Sequence, residues 1–323
     1  AGLDQAEFWG VNRAEATITQ LDSGAIQVVT FLGTDTLTNV EALSFDDEYV
    51  FVNDLFPEED VIIGGGDDDV LSGGEADESL TSGWGDDTVS GGGGDDTIDG
   101  GYGNDKLRGG DGADSINGGE GADTLNGGAG DDTINGGSAD GDRRDVVYGG
   151  DGNDHIQGGA GNDLLYGMNG NDTISGGRGA DDLQGQDGND VITGSAFSDI
   201  VFGGAGDDFV NGGFGHDLIN GGDGADKFFH VGVLGHGSDW VQDYDAAEGD
   251  VLLFGNASAT ADNFKVNFAH TENSAGERSG ADDVEEAFVI YKPTGQIMWA
   301  LVDGGGQDSI NLQIGSDVFD LLG

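Results

Sequence analysis

The chain has 323 residues, with 64 Asp+Glu against 10 Lys+Arg for a formal net charge of −54, and it holds 66 glycines, 2 prolines and no cysteine. Collagen needs glycine at every third position and abundant proline, so it is excluded, as is any disulfide-stapled fold. The charge argues against nucleic-acid partners, because a phosphate backbone would repel it, and no apolar run approaches the roughly 18–20 residues of a membrane span. The start at Ala1 without a signal-peptide pattern implies a processed chain or a piece of a longer protein.

In chain order, residues 1–59 come first. Alternating or apolar runs at 16–19, 25–31, 42–45 and 49–52 predict short strands. This segment reads either as an N-terminal β cap or as the end of an upstream domain. Asp60-Val61-Ile62-Ile63 then gives Asp-x-apolar-x in phase with the repeats that begin at Gly64, after a loop, Leu55-Phe56-Pro57-Glu58-Glu59, that is not glycine-rich.

From Gly64 to Phe229 the chain divides into 18 units of nine residues with the pattern G-G-x-G-x-D-x-apolar-x; one unit, residues 136–148, is four residues longer. The sixth position is Asp in 17 of 18 units, Glu78 being the exception, and the eighth is apolar in all 18. Glycine permits the positive φ of a sharp turn, and x-apolar-x predicts a three-residue strand with its middle side chain inward. Two units make one coil. Stacked coils make an all-β parallel roll of two facing sheets, about 43 Å tall for nine coils at ~4.8 Å each.

Same-side Asp residues fall 18 positions apart, one strand spacing from each other. An unpaired ladder of carboxylates repels itself, and a hard divalent cation between coils removes the repulsion. Calcium accepts six to eight oxygens, carboxylate and carbonyl, in irregular geometry, whereas magnesium wants a tighter octahedron. Residues 64–229 carry 35 Asp+Glu and 6 Lys+Arg, a net of 6 − 35 = −29. One ion between each same-side pair gives up to about 16 ions, which brings the array near neutrality.

Residues 230–323 predict a C-terminal β cap. Ser238-Asp239-Trp240-Val241 and Gly249-Asp250-Val251-Leu252 keep Asp-x-apolar as two last irregular turns, and 287–291, 296–302 and 309–314 read as antiparallel strands. His155, His216, His230, His236 and His270 are scattered. His230 and His236 can approach each other near the last turns, and the reading taken is that they are surface residues.

The units resemble the RTX repeat, the haemolysin-type calcium-binding nonapeptide, a calcium-binding β-helix repeat among repeat architectures. The resemblance implies a parallel β-roll, type I secretion from a Gram-negative bacterium to the extracellular space or cell surface, and folding only in extracellular calcium. It implies that the sixth-position carboxylates and nearby turn carbonyls are calcium ligands. Carried over residue by residue, these are Asp69, Asp87, Asp96, Asp105, Asp114, Asp123, Asp132, Asp145, Asp154, Asp163, Asp172, Asp181, Asp190, Asp199, Asp208, Asp217 and Asp226, with Asp239 as the better candidate to close the final site. Glu78, the unit 194–202 (GSAFSDIVF) and the insertion at 138–142 depart from the pattern, so poorer or absent ions are expected there. Residues 33–41 resemble a segment often found before such repeats. In the family the export signal is C-terminal, which assigns that role to the short acidic-apolar end, residues 317–323.

Outward seventh and ninth positions predict one solvated sheet face and one apolar face. The apolar face presents Val146, Tyr148, Leu164, Tyr166, Ile200 and Phe202, interrupted by Asp182 and Gln184. A contiguous exposed apolar surface usually contacts something: the chain's own flanks, a partner or a second copy. No H-E-x-x-H, G-x-S-x-G or phosphate-binding G-x-x-x-x-G-K-[ST] motif occurs, so the chain is not expected to be an enzyme. Three contexts remain: an exporting and stabilising domain for an attached module, a surface-layer or adhesive protein assembling with calcium, and a free-standing calcium binder.

Overall fold

The computed structural model describes residues 61–137, 143–269 and 285–323, together with the backbone of Asp60 and of six short strands upstream. Two compact units result, Ala1–Asp60 and Val61–Gly323. In the first, Thr17–Gln20, Ile26–Thr30 and Gly33–Leu37 form an antiparallel sheet, while Ala42–Phe45 pairs parallel with Gln5–Phe8 and antiparallel with Tyr49–Phe51. Gln5–Phe8 and Gly33–Leu37 are strands beyond those predicted. The loop 55–59 and the insertion 138–142 lie outside the described residues.

The second unit is the parallel roll. Its repeats wind between two sheets of thirteen strands each. Neighbouring strands pair parallel with partners 18 residues apart, as in Thr88↔Lys106 and Thr97↔Ser115, and 22 apart across the long unit, as in Thr124↔Val146. The insertion therefore leaves the winding intact. The eighth-position side chains form the core: from Leu80 to Phe228 none is more than 2% exposed. Leu71, on Val70–Ser72, the edge strand of its sheet, is only half-buried.

The strands are longer than the predicted three residues. Most run for six, from position seven through the next unit's third, as in Thr88–Gly93 and Thr124–Ala129. Side chains alternate along a strand, so two residues after each buried aliphatic the first glycine of the next unit also points inward. It is glycine for want of room. A methyl group on Gly91 would lie 2.1 Å from Asp96 Oδ2. The second and fourth glycines meet a different need, a positive φ at the turn, as at Gly92 (127°) and Gly94 (104°). Met168, Gln186 and Ser195 fill second positions at φ 82°, 80° and 85°, and Phe197 fills a fourth position at 84°. Left-handed backbone costs a non-glycine residue about 1 kcal/mol.

The C-terminal strands do not form one antiparallel sheet. Glu286–Tyr291 and Gln296–Leu301 pair antiparallel, with Phe264–Ala269 beyond them. Asn311–Ile314, however, pairs parallel with Val251–Phe254 in the opposite sheet. The winding rule persists: Gln296–Leu301 stacks parallel on Asp239–Val241, and a turn at Asp303 (φ 55°) and Gly304–Gly306 carries the chain across to the other sheet. Asp317–Asp320 folds back antiparallel as the last strand.

Candidate metal centre

The turns that join the sheets place the sixth-position carboxylates in two buried columns, one on each side of the roll. Along one column the backbone N–H of Asp69 donates to Asp87 Oδ1, Asp87 to Asp105, Asp105 to Asp123, and so on through Asp145, Asp163, Asp181 and Asp199 to Asp217. Along the other, Glu78 donates to Asp96, then the chain of donors runs through Asp114, Asp132, Asp154, Asp172, Asp190 and Asp208 to Asp226. Each bond is 2.7–3.0 Å long. One carboxylate oxygen per residue is thus used to tie a coil to the next.

The second oxygen decides the chemistry. In Asp87, Asp96, Asp105, Asp114, Asp132, Asp154, Asp172, Asp181, Asp190, Asp199, Asp208, Asp217 and Asp226 Oδ2 is buried without a hydrogen-bond partner. From Asp96 to Asp208 it points over the first glycine of its own unit, where a carbonyl of the next coil also converges: a methyl on Gly149 would lie 2.3 Å from Asp154 Oδ2 and 2.6 Å from the Gly167 carbonyl oxygen. A buried, unpartnered carboxylate oxygen costs several kcal/mol. Repeated in register beside carbonyl oxygens, it forms an oxygen-only donor set that fits calcium.

Burial also pushes these carboxyls up, to about 6 in Asp105, Asp154 and Asp190 and about 7 in Asp132, Asp199, Asp208 and Asp226, with neighbouring carboxylates adding to the effect. A divalent ion would reverse both causes.

The ends of the columns differ from the middle. Asp69 Oδ2 accepts the Gly65 N–H (2.7 Å), and Glu78 Oε2 accepts the Gly74 N–H (3.0 Å), so both second oxygens are occupied by their own turns. Glu78 still keeps the register. Asp199 does too, within the irregular unit 194–202, because Ser195 and Phe197 adopt the glycine-like φ. At the far end, Asp239 is fully buried beside Asp217; burial, and then the charge of Asp217, raise its pKa. Asp250, which sequence reasoning ranked below Asp239, closes the other column: it accepts the N–H groups of Asp226 (2.9 Å) and Asp245 (2.8 Å). Its Asp-x-apolar motif was the signal for that role.

The histidine reading needs correction. His230 and His236 do approach, with ring centroids 4.5 Å apart, but both are buried. Burial pushes His230 down to about 4, His236 adding to it; His230 Nδ1 accepts the Gly232 N–H. Trp299 packs edge-on against His230 at 5.7 Å, which no local motif in the chain announces. His270 lies outside the described residues.

Comparison with known families agrees with this geometry. The family model for the RTX calcium-binding nonapeptide repeat matches seven overlapping stretches: 58–89, 81–116, 90–125, 108–142, 140–174, 166–201 and 193–228. The protein is a parallel β-roll by fold and a calcium-binding one by its repeat. It belongs to the RTX calcium-binding nonapeptide repeat family, whose members are typically secreted. A search of curated proteins returned no match. Among the described residues no helix is long and apolar enough to cross a membrane.

Proposed function

We propose that this chain is a calcium-switched folding domain of a type I secreted protein of a Gram-negative bacterium, serving export and stabilisation of an attached module. The observation that carries the reading is the pair of buried columns with unpartnered oxygens. Without ions the columns are self-repelling. With them, binding free energy is folding free energy, because the sites do not exist in the unfolded chain. Extracellular modules bind calcium at about 10⁻⁴–10⁻³ M, so the acidic chain stays expanded inside the cell and closes outside. Full loading corresponds to up to about 16 ions, one per gap in each column. The chain itself is non-enzymatic on this reading: its buried carboxylates are committed to the columns, and the hydrolase and phosphate-binding motifs sought in its sequence do not occur.

A second reading, a surface-layer or adhesive protein that assembles with calcium, is favoured by one observation. The C-terminal strands extend the sheets edge to edge and do not lie across the apolar face, whose Ile200 is 39% exposed.

The test is a calcium titration of the full chain by circular dichroism and sedimentation, with magnesium as control. A cooperative gain of β signal and compaction near millimolar calcium, absent with magnesium, is the expected result. A β signal already complete in chelator and indifferent to calcium would overturn ion-coupled folding.

A further inference from the structure

Both carboxylate columns run out at the C-terminal end of the roll, and they end differently. Inside the columns a gap is lined by the carboxylate of one unit and a carbonyl of the next coil. Over Gly203, for example, a methyl would lie 2.2 Å from Asp208 Oδ2 and 2.3 Å from the Gly221 carbonyl oxygen. At the last units that carbonyl is missing. The three atoms nearest a methyl on Gly212 all belong to Asp217, and those nearest a methyl on Gly221 all belong to Asp226.

What replaces the carbonyl differs between the columns. In a regular coil the first-position N–H donates to a carbonyl of the next coil, as Gly73 does to the Ser90 oxygen (2.8 Å). Gly221, at the same position, donates instead to Asp243 Oδ1 (3.0 Å), and the Gly222 N–H donates to Asp243 Oδ2 (2.5 Å). The Asp243 side chain thus stands where the backbone of a further coil would be, with a full negative charge in place of a carbonyl dipole. In the other column the corresponding Gly213 N–H turns back to Asn211 Oδ1 (3.1 Å), a neutral amide, and the residue paired with Asp239 is Trp299.

Asp226 Oδ2 is buried beside Asp243 without a hydrogen-bond partner, and Asp250 closes the gap with its Oδ1 on the Asp226 N–H. Three carboxylates therefore bear on this gap, one more than the column itself supplies. Burial pushes Asp226 and Asp250 up, and the charge of Asp243 adds to the rise in both. The loop 242–249 holds Asp243, Asp245 and Glu248 and no lysine or arginine to offset them. Among the described residues no three carboxylates or histidines already enclose a metal-sized point, so Asp243 acts through its charge, as a neighbour of the gap.

We propose that the Asp226–Asp250 gap is the tightest calcium site of the roll, and that Asp243, which lies outside the repeats, sets its affinity. Negative charge at a site is one of the quantities that tune calcium affinity, and a half-buried carboxylate acts through less water than an exposed one. The end position adds to this, because an ion there faces one neighbouring ion along the column where an interior ion faces two. The Asp217–Asp239 gap shares the end position but not the extra charge. This site exists only in the calcium-loaded roll of the preceding reading, on which the inference rests.

Equilibrium dialysis of the full chain should leave one calcium bound at about a tenth of the free calcium that half-fills the other sites. Asp243→Asn should return that ion to the common midpoint, a loss of about tenfold. Asp223→Asn, which removes an exposed carboxylate of the same turn, should move it less than about twofold, since water and salt screen an exposed charge. Terbium, close to calcium in size and more highly charged, locates the site. Tyr244 follows Asp243, is buried, and its O–H donates to the Asp250 carbonyl (3.3 Å), so the first terbium bound should emit by energy transfer from this tyrosine. In Asp243→Asn the first equivalent should be dark. Wild-type ions that all share one midpoint, a tight ion that survives Asp243→Asn, or one lost equally in Asp223→Asn would overturn the proposal. Should Asp243→Asn fall short of the wild-type β signal in saturating calcium, wild-type terbium decides alone, and a dark first equivalent overturns it. No calcium bound at all would overturn the calcium reading itself, which separates the two failures.

Discussion

The middle of the roll and its C-terminal end close their cores by different means. Between Asp87 and Asp226 the core is one row of aliphatic side chains from each sheet, flanked by two columns of buried carboxylates. Beyond Val251 the carboxylate columns stop and an aromatic cluster takes over: Phe254 packs against Phe264 at 4.9 Å, against Tyr291 at 5.0 Å and against Trp299 at 6.3 Å. The first arrangement is thin and highly charged, the second thicker and apolar. A core of one row per sheet buries little apolar area per residue against chain entropy, so on the proposed reading the repeat region depends on the metal and the C-terminal region, with its aromatic cluster, depends on it less.

The largest expected effect breaks that contrast outright. On stepwise removal of calcium, hydrogen exchange should show amides of 88–223 losing protection together, while those of 251–254, 286–301 and 311–314 keep theirs to lower calcium. Simultaneous loss in both regions would show that the aromatic end has no stability of its own. The next effect separates two kinds of glycine. Gly149→Ala places a methyl against Asp154 Oδ2 and the Gly167 carbonyl, and neither atom can withdraw without breaking a column. We expect a loss of about 3 kcal/mol in calcium-loaded denaturation. Gly66→Ala, with no atom within 4 Å of the added methyl, should lie within about 0.5 kcal/mol of the parent.

The same logic compares the middle of a column with its start. Asp154→Asn keeps an acceptor for the Asp132 N–H but removes a charge from the ion gap, and should raise the calcium midpoint about tenfold, equivalent to ~1.4 kcal/mol. Asp69→Asn, where Oδ2 already accepts the Gly65 N–H, should move the midpoint less than about twofold. Equal shifts would mean that the first coil is a full site.

Much of this was legible because it is periodic. The eighth-position column, the sixth-position carboxylates and the 18-residue register follow from spacing alone, since each repeat sees the same neighbours as the last. The flanks carry no period. The crossing of Asn311–Ile314 to the opposite sheet depends on a free strand edge at Val251–Phe254, and the burial of His230 depends on Trp299 arriving from 69 positions away. The first-position glycine shows a subtler limit: its motif was read as a turn signal, but its side-chain slot is filled by Asp Oδ2, a contact visible only once strand and turn are placed together.

pH offers the smallest and most discriminating change. In the calcium-free roll, burial raises Asp132, Asp199, Asp208 and Asp226 to about 7 and Asp105, Asp154 and Asp190 to about 6, whereas an unfolded chain holds Asp near about 3.9. Between those values the folded state binds protons that the unfolded state does not, so calcium-free stability rises as pH falls from about 7 towards about 4 and is lost again on the way back. In calcium the sign reverses, because protons and ions compete for the same oxygens. Acidification in chelator from about pH 8 to about pH 5 should thus recover part of the β signal, and the calcium midpoint at about pH 6 should exceed that at about pH 8 several-fold. The C-terminal region answers differently: His230 is held at about 4 by burial, so its neutral form, and the Trp299 packing over it, persists through the whole of that range. A calcium midpoint flat with pH would mean that the column carboxylates are not the groups the ion displaces protons from, and the contrast between the two regions would then need another cause.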